Sequence, residues 1–369
     1  MYVPADMSLP AYPGKPLAVF RADGSPGIGS GHLSRCLALA EKLIPKGFSV
    51  IFLCRDIPEM FLPKMAAIGI RLLRLPAHGG DWTTDARHSA ERLAQLGSGG
   101  ALPAWLVIDH YGLDARYESM LRPHAARIMV IDDLENRPHD CDLLLDYNDV
   151  AGAERGYEQL VPGYCRRLLG VSYLLLGRAF EAAAQSRRVR GPAARRLFIS
   201  FGGGDVGEPL VNALIGLAIA DRPDLQIRMI IGRPGRAYRR VFELAAKSRR
   251  IELTAHTDQV AQWMSEADLA IGAAGVMAWE RCALGLPSII MRTADNQRKV
   301  AETLGAAGCV IDLGFHTKVR PVQIAQAIHR ICEERGLLER MSERCLKMAV
   351  GIGGAERVAS IMAAEVRTT

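Results

Sequence analysis

The sequence predicts an α/β protein built from two domains, each with a parallel β-sheet covered by helices. Short apolar runs alternate along the chain with segments in which apolar residues recur at helical spacing. The chain has 369 residues, which is enough for two cores of ordinary size. Residues 180–196 are rich in Ala, Arg and Ser and show little strand pattern. We therefore predict an N-terminal domain of residues 1–179 and a C-terminal domain of residues 180–369, with the link at the start of the second.

The predicted strands are short and occur in both halves. In the first half they are residues 18–20, 50–54, 105–108, 128–131 and 143–145. In the second half they are residues 197–201, 227–231, 251–253, 269–271, 288–291 and 309–311. Helical patterns separate most of them, and this alternation predicts βαβ units and parallel sheets. A last helical stretch runs from Leu337 to about Val366.

Composition and charge exclude several classes of protein. Apolar residues make up 49% of the chain and charged residues 23%, as in folded α/β enzymes. The net charge of +6 favours anionic ligands, but aromatic residues are only 6% and no nucleic-acid recognition signature is present, so we expect no nucleic-acid partner. No segment has the pattern of a signal peptide or the length of a membrane span. We therefore expect no membrane insertion. The eight cysteines form no C-x-x-C pair, which argues against a structural metal and favours a reduced, cytoplasmic protein.

A glycine loop after the first predicted strand places His32 in the first turn of a helix. The free N–H groups of a helix start carry partial positive charge and disfavour a second positive charge nearby, so a neutral imidazole is expected there. A neutral imidazole can take a proton from water and act as a general base. Alternatively, Gly29 and Gly31 merely permit a tight turn and His32 bonds only to the backbone.

Polar residues follow two other strands of the first half. Asp109, His110 and Tyr111 come after one, and Asp132 and Asp133 after another, so they should line the same sheet edge as His32. Adjacent residues of an extended segment point opposite ways, so the Asp pair favours hydrogen bonding over a divalent-cation site.

Three loops of the second half also follow predicted strands. The first, residues 202–204, is a glycine cluster that could admit a phosphate to backbone amides, or could be an ordinary turn. In the second, Gly275 precedes a helix that carries Glu280, a carboxylate placed to accept hydrogen bonds from a ribose diol or simply to complement the helix dipole. The third, residues 295–297, is polar and could belong to the same site or could simply cap a helix. Because the carboxyl ends of neighbouring parallel strands meet at one edge, the three loops should converge on one crevice.

Taken together, these motifs resemble one enzyme family, the UDP-2,4-diacetamido-2,4,6-trideoxy-β-L-altropyranose hydrolases (PseG family) of pseudaminic acid, or nonulosonate, biosynthesis and flagellin glycosylation. The motifs that carry the resemblance extend from about Phe20 to Gly308. They are Arg21-x-Asp23, Ile28-Gly29-x-Gly31-His32, Ile108-Asp109-His110-Tyr111-Gly112, Asp132-Asp133, Arg137-Pro138-His139-Asp140-Cys141-Asp142, Phe201-Gly202-Gly203-Gly204-Asp205, Gly272-Ala273-Ala274-Gly275, Trp279-Glu280-Arg281-Cys282 and Ala294-Asp295-Asn296-Gln297.

The resemblance implies two Rossmann-like domains facing a cleft, as in GT-B glycosyltransferases, and inverting hydrolysis of a UDP-sugar without metal or cofactor. It implies that His32 is the base that activates water. The implied UDP-binding residues are Gly203, Gly204, Gly275, Val276, Met277 and Glu280. The implied substrate-binding residues are Arg21, Asp23, Gly29, Gly31, Asp109, His110, Tyr111, Asn148, Asp295, Asn296 and Gln297.

Other functions stay open on the sequence alone. A GT-B glycosyltransferase would use a sugar or lipid acceptor in place of water, and a UDP-sugar 2-epimerase has a similar architecture. A UDP-sugar-binding module without catalysis is the alternative from another class. The residues before Lys15 and beyond about Arg335 exceed what the hydrolase requires and leave room for a different UDP-sugar. We expect a UDP-sugar as the small-molecule substrate; the sequence is compatible with a monomer and leaves the oligomeric state open.

Overall fold

The computed structural model describes residues 14–25, 28–77, 81–96, 102–148, 156–203, 206–232, 235, 237–349 and 352–367. Contacts between Cα atoms divide the chain into two compact units. The first unit comprises the chain up to Gly24, residues His32–Leu175 and the chain from Ala355 onward. The second comprises Ser25–Gly31 and Leu176–Gly354.

The first unit contains a seven-stranded parallel sheet in the order β3-β2-β1-β4-β5-β6-β7. Its strands are β1 Leu17–Ala22, β2 Ser49–Cys54, β3 Arg71–Arg74, β4 Trp105–Asp109, β5 Ile128–Ile131, β6 Leu143–Asp146 and β7 Arg166–Leu169. Its helices up to this point are α1 Gly31–Leu43, α2 Leu62–Ala67, α3 Trp82–Leu96 and α4 Ala115–Leu121. The central strands are buried along their length because helices cover both faces of the sheet.

The second unit contains a six-stranded parallel sheet in the order β10-β9-β8-β11-β12-β13. Its strands are β8 Arg196–Ser200, β9 Gln226–Ile230, β10 Ile251–Thr254, β11 Leu269–Gly272, β12 Ser288–Arg292 and β13 Val310–Phe315. Its helices are α5 Arg178–Ala184, α6 Gly207–Ala220, α7 Tyr238–Ala245, α8 Val260–Glu266, α9 Val276–Ala283, α10 Arg298–Ala306, α11 Pro321–Glu333 and α12 Leu337–Met348. Each sheet reverses its strand order beside its first strand, which is the arrangement of a Rossmann-like domain.

The last helix, α13 Gly354–Arg367, returns to the first unit. The indole Nε1 of Trp105 donates a hydrogen bond to the carbonyl oxygen of Met362 at 3.1 Å, and Arg357 Nε donates to the carbonyl oxygen of Ser172 at 2.8 Å. We predicted that residues 180–369 form one domain, whereas the contacts of residues from Ala355 onward place them with the first unit.

The predicted link is itself structured. Residues 178–184 form α5, and Ala184 lies in a core cluster of the second unit with Phe198 and Trp263. The predicted boundary at residue 179 is close to the division after Leu175.

All eleven predicted strands are present, and the structure adds β3 and β7. These two strands form the edges of the first sheet, and each contains two arginines and only two apolar residues. Two apolar residues are too few to predict a strand. Among the residues that the structure describes, no helix combines the length and apolar character needed to cross a bilayer.

Candidate functional site

His32 and Asp109 lie where the first sheet reverses its strand order. β1 pairs with β2 on one side and β4 on the other, and the register places Ala22 opposite Asp109. In open α/β sheets the crevice outside the carboxyl ends of such strands is where ligands bind. The predicted helix start is confirmed, because His32 is the second residue of α1.

The His32 imidazole is held by the Asp109 carboxylate. Its Nδ1 lies 2.5 Å from Asp109 Oδ1, and both side chains are buried. An ionised carboxylate only accepts hydrogen bonds, so Nδ1 carries the proton and donates it. In the neutral ring, Nε2 is then left with its lone pair free to accept a proton. The Tyr111 ring packs edge-on against the imidazole, with centroids 4.5 Å apart.

Arg35, which the sequence reasoning did not select, fixes the Asp109 carboxylate. Its Nε and Nη2 donate to the two oxygens of Asp109, each at 2.6 Å. Burial alone would raise the pKa of Asp109, but Arg35 and then His32 hold that pKa well below its usual range. Asp109 therefore stays ionised, and its full burial suits a residue that positions His32 better than one that contacts a sugar.

The Arg35 guanidinium also connects Asp109 to further polar side chains. Its Nη1 donates to Asp133 Oδ2 at 2.9 Å and to the Tyr147 hydroxyl at 3.3 Å. Asn148 Nδ2 donates to the same Asp133 oxygen at 3.2 Å. The structure thus brings Asn148 and the second residue of the predicted Asp pair into the surroundings of His32.

Arg21 and Asp23 form a second buried cluster. Arg21 makes two hydrogen bonds to Asp85, at 3.0 and 2.6 Å, and an ion pair to Asp23 at 2.7 Å. Asp23 also accepts hydrogen bonds from the backbone N–H of Arg55 and Asp56. Arg21 is fully buried, so in this structure it fixes the loop after β1.

His110 lies beside this cluster as a neutral imidazole. Its Nδ1 accepts a hydrogen bond from the N–H of Gly112 at 3.0 Å, and its Nε2 lies 3.7 Å from Asp23 Oδ2. Burial and then the Arg21 charge lower the pKa of His110 to about 4. His110 is therefore a hydrogen-bonding group at neutral pH.

Loops of the second unit converge as predicted. Register pairs Gly272 at the end of β11 with Ser200 of β8 and with Ile290 of β12. A Cβ atom on Gly272 would lie 2.3 Å from the carbonyl oxygen of Ser200, so only glycine fits there. At the start of α9, Met277 Sδ lies 3.9 Å from Ser200 Oγ.

The third loop lies beside the second. The Gln297 side chain makes two hydrogen bonds to Thr293, each at 2.9 Å: Oε1 accepts from the Thr293 N–H and Nε2 donates to Thr293 Oγ1. A Cβ atom on Gly275 would lie 3.8 Å from Gln297 Nε2. Asp295 is exposed and Asn296 is partly buried in the short 3-10 helix Asp295–Gln297. Gly204 lies outside the described residues.

The glycine loop before His32 groups with the second unit. A Cβ atom on Gly203 would lie 3.1 Å from Ser30 Oγ, and one on Gly31 would lie 3.3 Å from a Val276 methyl carbon. Gly29 has a φ of +82°, a backbone conformation that L side chains rarely adopt. The predicted residues Gly29, Gly31, Gly203 and Val276 therefore belong to one unit.

Glu280 lies in α9, one turn beyond the Gly275 loop. Burial raises the pKa of its carboxyl to about 7, opposed by the charge of Arg281. Within the described ranges, no hydrogen bond to this carboxylate is present. It can therefore accept hydrogen bonds from a ligand. The neighbouring Arg281 makes its hydrogen bonds to other groups: its Nε donates to Ser288 Oγ at 2.9 Å and its Nη2 to the Ala273 carbonyl oxygen at 2.6 Å.

Comparison with known proteins shows similarity to a glycosyltransferase domain and to enzymes and proteins of polysaccharide and sugar metabolism. Residues 199–353 match the glycosyltransferase family 28 C-terminal domain. The chain is 30% identical over 193 residues to the UDP-2,4-diacetamido-2,4,6-trideoxy-beta-L-altropyranose hydrolase of Campylobacter jejuni, covering 51% of this chain and 61% of that protein. It is 25% identical over 195 residues to the spore coat polysaccharide biosynthesis protein SpsG of Bacillus subtilis, covering 53% of this chain and 55% of that protein. The chain thus spans little more than half the length of these curated relatives.

Solved structures share the fold over nearly the whole chain. Medicago truncatula UGT71G1 complexed with UDP-glucose superposes with a TM-score of 0.67 at 11% identity, covering 95% of this chain and 98% of that one. The glycotransferase of kitacinnamycin gives a TM-score of 0.64 at 17% identity, covering 96% and 100%. A putative UDP-N-acetylglucosamine 2-epimerase from Listeria monocytogenes gives 0.66 at 11% identity, covering 96% and 98%. The chain therefore has the two Rossmann-like domains of the GT-B fold, and its sequence is similar to that of a UDP-sugar hydrolase.

Proposed function

We propose that this protein is a UDP-sugar-processing enzyme that hydrolyses a UDP-linked 2,4-diacetamido-2,4,6-trideoxy sugar at its anomeric carbon. The observation that carries the proposal is the His32–Asp109–Arg35 arrangement at the point of strand reversal. It supplies an oriented imidazole with a free Nε2, which is what activation of water requires.

In the proposed reaction His32 Nε2 takes a proton from a water molecule as the water oxygen bonds to C1 of the sugar. The bond between C1 and the diphosphate oxygen breaks, and its electron pair leaves with UDP. The water attacks from the face opposite UDP, so the configuration at C1 is inverted. The products are UDP and the free sugar, and no metal or cofactor takes part.

UDP is assigned to the loops of the second unit. We infer that the backbone N–H groups of Val276 and Met277, at the start of α9, stabilise negative charge on the leaving diphosphate. Glu280 is assigned to the ribose diol, which can donate two hydrogen bonds to its carboxylate. Gly203 gives the diphosphate close access to the backbone after β8.

Sequence similarity supports the hydrolase over other enzymes of this fold. The Campylobacter jejuni relative is named for hydrolysis of this UDP-sugar. The motifs that contain His32 and Asp109 are among those that carry the family resemblance. A link to pseudaminic acid biosynthesis belongs to the same proposal.

Replacing His32 by Gln tests the assignment. Gln keeps a polar side chain but cannot take up a proton, so hydrolysis should fall by roughly 10²–10⁴-fold while UDP binding changes little. NMR of purified protein with the UDP-sugar in water should show UDP and free sugar appearing together, with the first anomer inverted. Hydrolysis by the variant at the wild-type rate would refute the role of His32.

Glycosyl transfer is the second candidate, favoured by the match of residues 199–353 to a glycosyltransferase domain. The same NMR experiment separates the possibilities. A transferase would consume little UDP-sugar without an acceptor, and a 2-epimerase would change the stereochemistry at C2. A protein that only binds UDP-sugars would give no product.

A further inference from the structure

Three buried thiols from distant parts of the chain meet in the second unit. Cys282 lies in α9, Cys309 immediately precedes β13, and Cys345 lies in α12. Their Sγ atoms all lie within 4.8 Å of one another. The proposed function uses none of them.

Two buried guanidinium groups act electrostatically on this cluster, Arg281 on Cys282 and Cys345, and Arg190 on Cys345. Arg190 and Arg281 are each only 1% exposed. In the part of the chain that the structure describes, neither has a carboxylate oxygen within 4.0 Å, although Glu280 acts electrostatically on Arg281 and Asp268 on Arg190. The hydrogen bonds of the Arg190 guanidinium all go to backbone carbonyl oxygens, those of Ala267, Arg188, Leu284, Met264 and Ser265.

Arg281 is also incompletely satisfied. Its Nε and Nη2 donate to Ser288 and to the Ala273 carbonyl, whereas its buried Nη1 has no hydrogen-bond partner. Buried cations are normally compensated by negative charge, because carbonyl dipoles only partly replace the lost hydration. Thiolates in the adjacent cluster would add negative charge to that of Glu280 and Asp268.

We propose that Cys282, Cys309 and Cys345 bind one thiophilic d¹⁰ metal ion as a trigonal thiolate site, with Arg190 and Arg281 compensating its negative charge. Sulfur ligands about 2.3 Å from a metal lie ~4 Å apart in trigonal geometry, which is within the spacing found here. Binding releases three thiol protons, so a monovalent ion leaves a net charge of −2 that the two guanidiniums balance. The charge balance favours Cu⁺, and a divalent ion such as Zn²⁺ or Cd²⁺ fits the same ligands.

This site would connect three elements of the second unit. Cys282 is two residues beyond Glu280 in α9, so the metal would link the proposed UDP-binding helix to α12 and to the start of β13. The sequence predicts no structural metal, because the three cysteines lack the short spacing of known metal motifs. The proposal does not depend on the proposed hydrolysis.

Cadmium titration of the full-length protein tests the site. The protein is reduced, freed of metal with a chelator and titrated anaerobically with Cd²⁺, while the ultraviolet absorbance of thiolate-to-metal charge transfer is recorded. We expect saturation at one Cd²⁺ per chain, and displacement of Cd²⁺ by Cu⁺. No charge-transfer band, or a stoichiometry other than one, would overturn the proposal.

Two further measurements assign the ligands. Cys345→Ser should weaken Cd²⁺ binding at least about tenfold, whereas Cys54→Ser, which changes a buried thiol of the first unit, should leave it unchanged. In wild-type protein, bound metal should protect Cys282, Cys309 and Cys345 from alkylation under mild denaturation, as read by peptide mass spectrometry. Equal affinity in both variants, or protection of other cysteines, would contradict the assignment.

Discussion

At the scale of single residues, the arrangement of His32 depends on charges behind it. Asp109 fixes which imidazole nitrogen carries the proton, and Arg35 keeps Asp109 ionised and holds both of its oxygens. The ring can therefore present only Nε2 as a base. A buried Asp–His pair without Arg35 would leave the carboxylate with a higher pKa and less fixed in position.

Replacing Asp109 by Asn should lower kcat by roughly 10²–10⁴-fold, because the amide can stabilise the wrong imidazole tautomer and cannot support the imidazolium that forms. UDP affinity should stay within about twofold of wild type, since Asp109 lies in the first unit and UDP is assigned to the second. Steady-state kinetics and calorimetric titration with UDP measure the two effects. A kcat near that of wild type would show that Asp109 does not position the base.

Sequence reasoning located His32 because a glycine loop and a helix start are local patterns. It placed Asp109 at the same sheet edge but assigned it to the substrate, because the direction of a side chain is not readable from strand order. Arg35 follows His32 by one helical turn, yet its partner Asp109 is 74 positions away in sequence. Nothing in the helical pattern distinguishes an arginine that turns inward to a buried acid from one that faces solvent.

At the scale of elements, α9 carries two features on which the proposed UDP site depends. Its first turn follows Gly275, which provides no side-chain cap, and its second turn carries the Glu280 carboxylate. The convergence of its loop with those after β8 and β12 was predictable, because parallel strands end at the same sheet edge. The edge strands β3 and β7 were not predictable from the sequence. A neighbouring strand covers each of them on one side only, so little of their sequence needs to be apolar.

Glu280 predicts a pH dependence of nucleoside binding. Hydrogen bonds donated by a ribose diol favour the ionised carboxylate, and its pKa of about 7 means that ionisation rises through neutral pH. Uridine affinity should therefore increase up to roughly tenfold between about pH 6 and pH 8. Uridine is the suitable ligand because it has no phosphate that titrates in this range.

Glu280→Gln is the matched control for that titration. The variant should bind uridine more weakly at about pH 8 and with no dependence on pH across this interval. 2′-Deoxyuridine should lose less affinity than uridine on the same substitution. An unchanged slope in the variant would assign the pH dependence to another group.

At the scale of the whole molecule, the first unit is assembled from separate stretches of chain. α13 follows the second unit in the sequence but belongs to the first unit, where its residues Val358, Ala359 and Met362 are fully buried. The sequence predicted that residues near 366 are helical, since the apolar spacing is local. It did not indicate which unit they join, because the buried face of a helix does not identify the surface that covers it.

Met362→Ala should lower the stability of the first unit by about 2–5 kcal/mol, because it removes a fully buried side chain and leaves a cavity. Ser360→Ala, on the exposed side of the same helix, should change stability by no more than ~0.5 kcal/mol. Thermal unfolding followed by calorimetry compares the two variants. Equal midpoints would show that α13 contributes little to the first unit.

The return of α13 sets the order in which the protein can be completed during synthesis. Chains emerge from the ribosome N-terminus first, and domains generally fold as units when all their parts are available. The second unit has all of its residues outside the ribosome before the first one does. Until this helix leaves the ribosome, the indole N–H of Trp105 lacks its hydrogen-bond acceptor, the carbonyl oxygen of Met362.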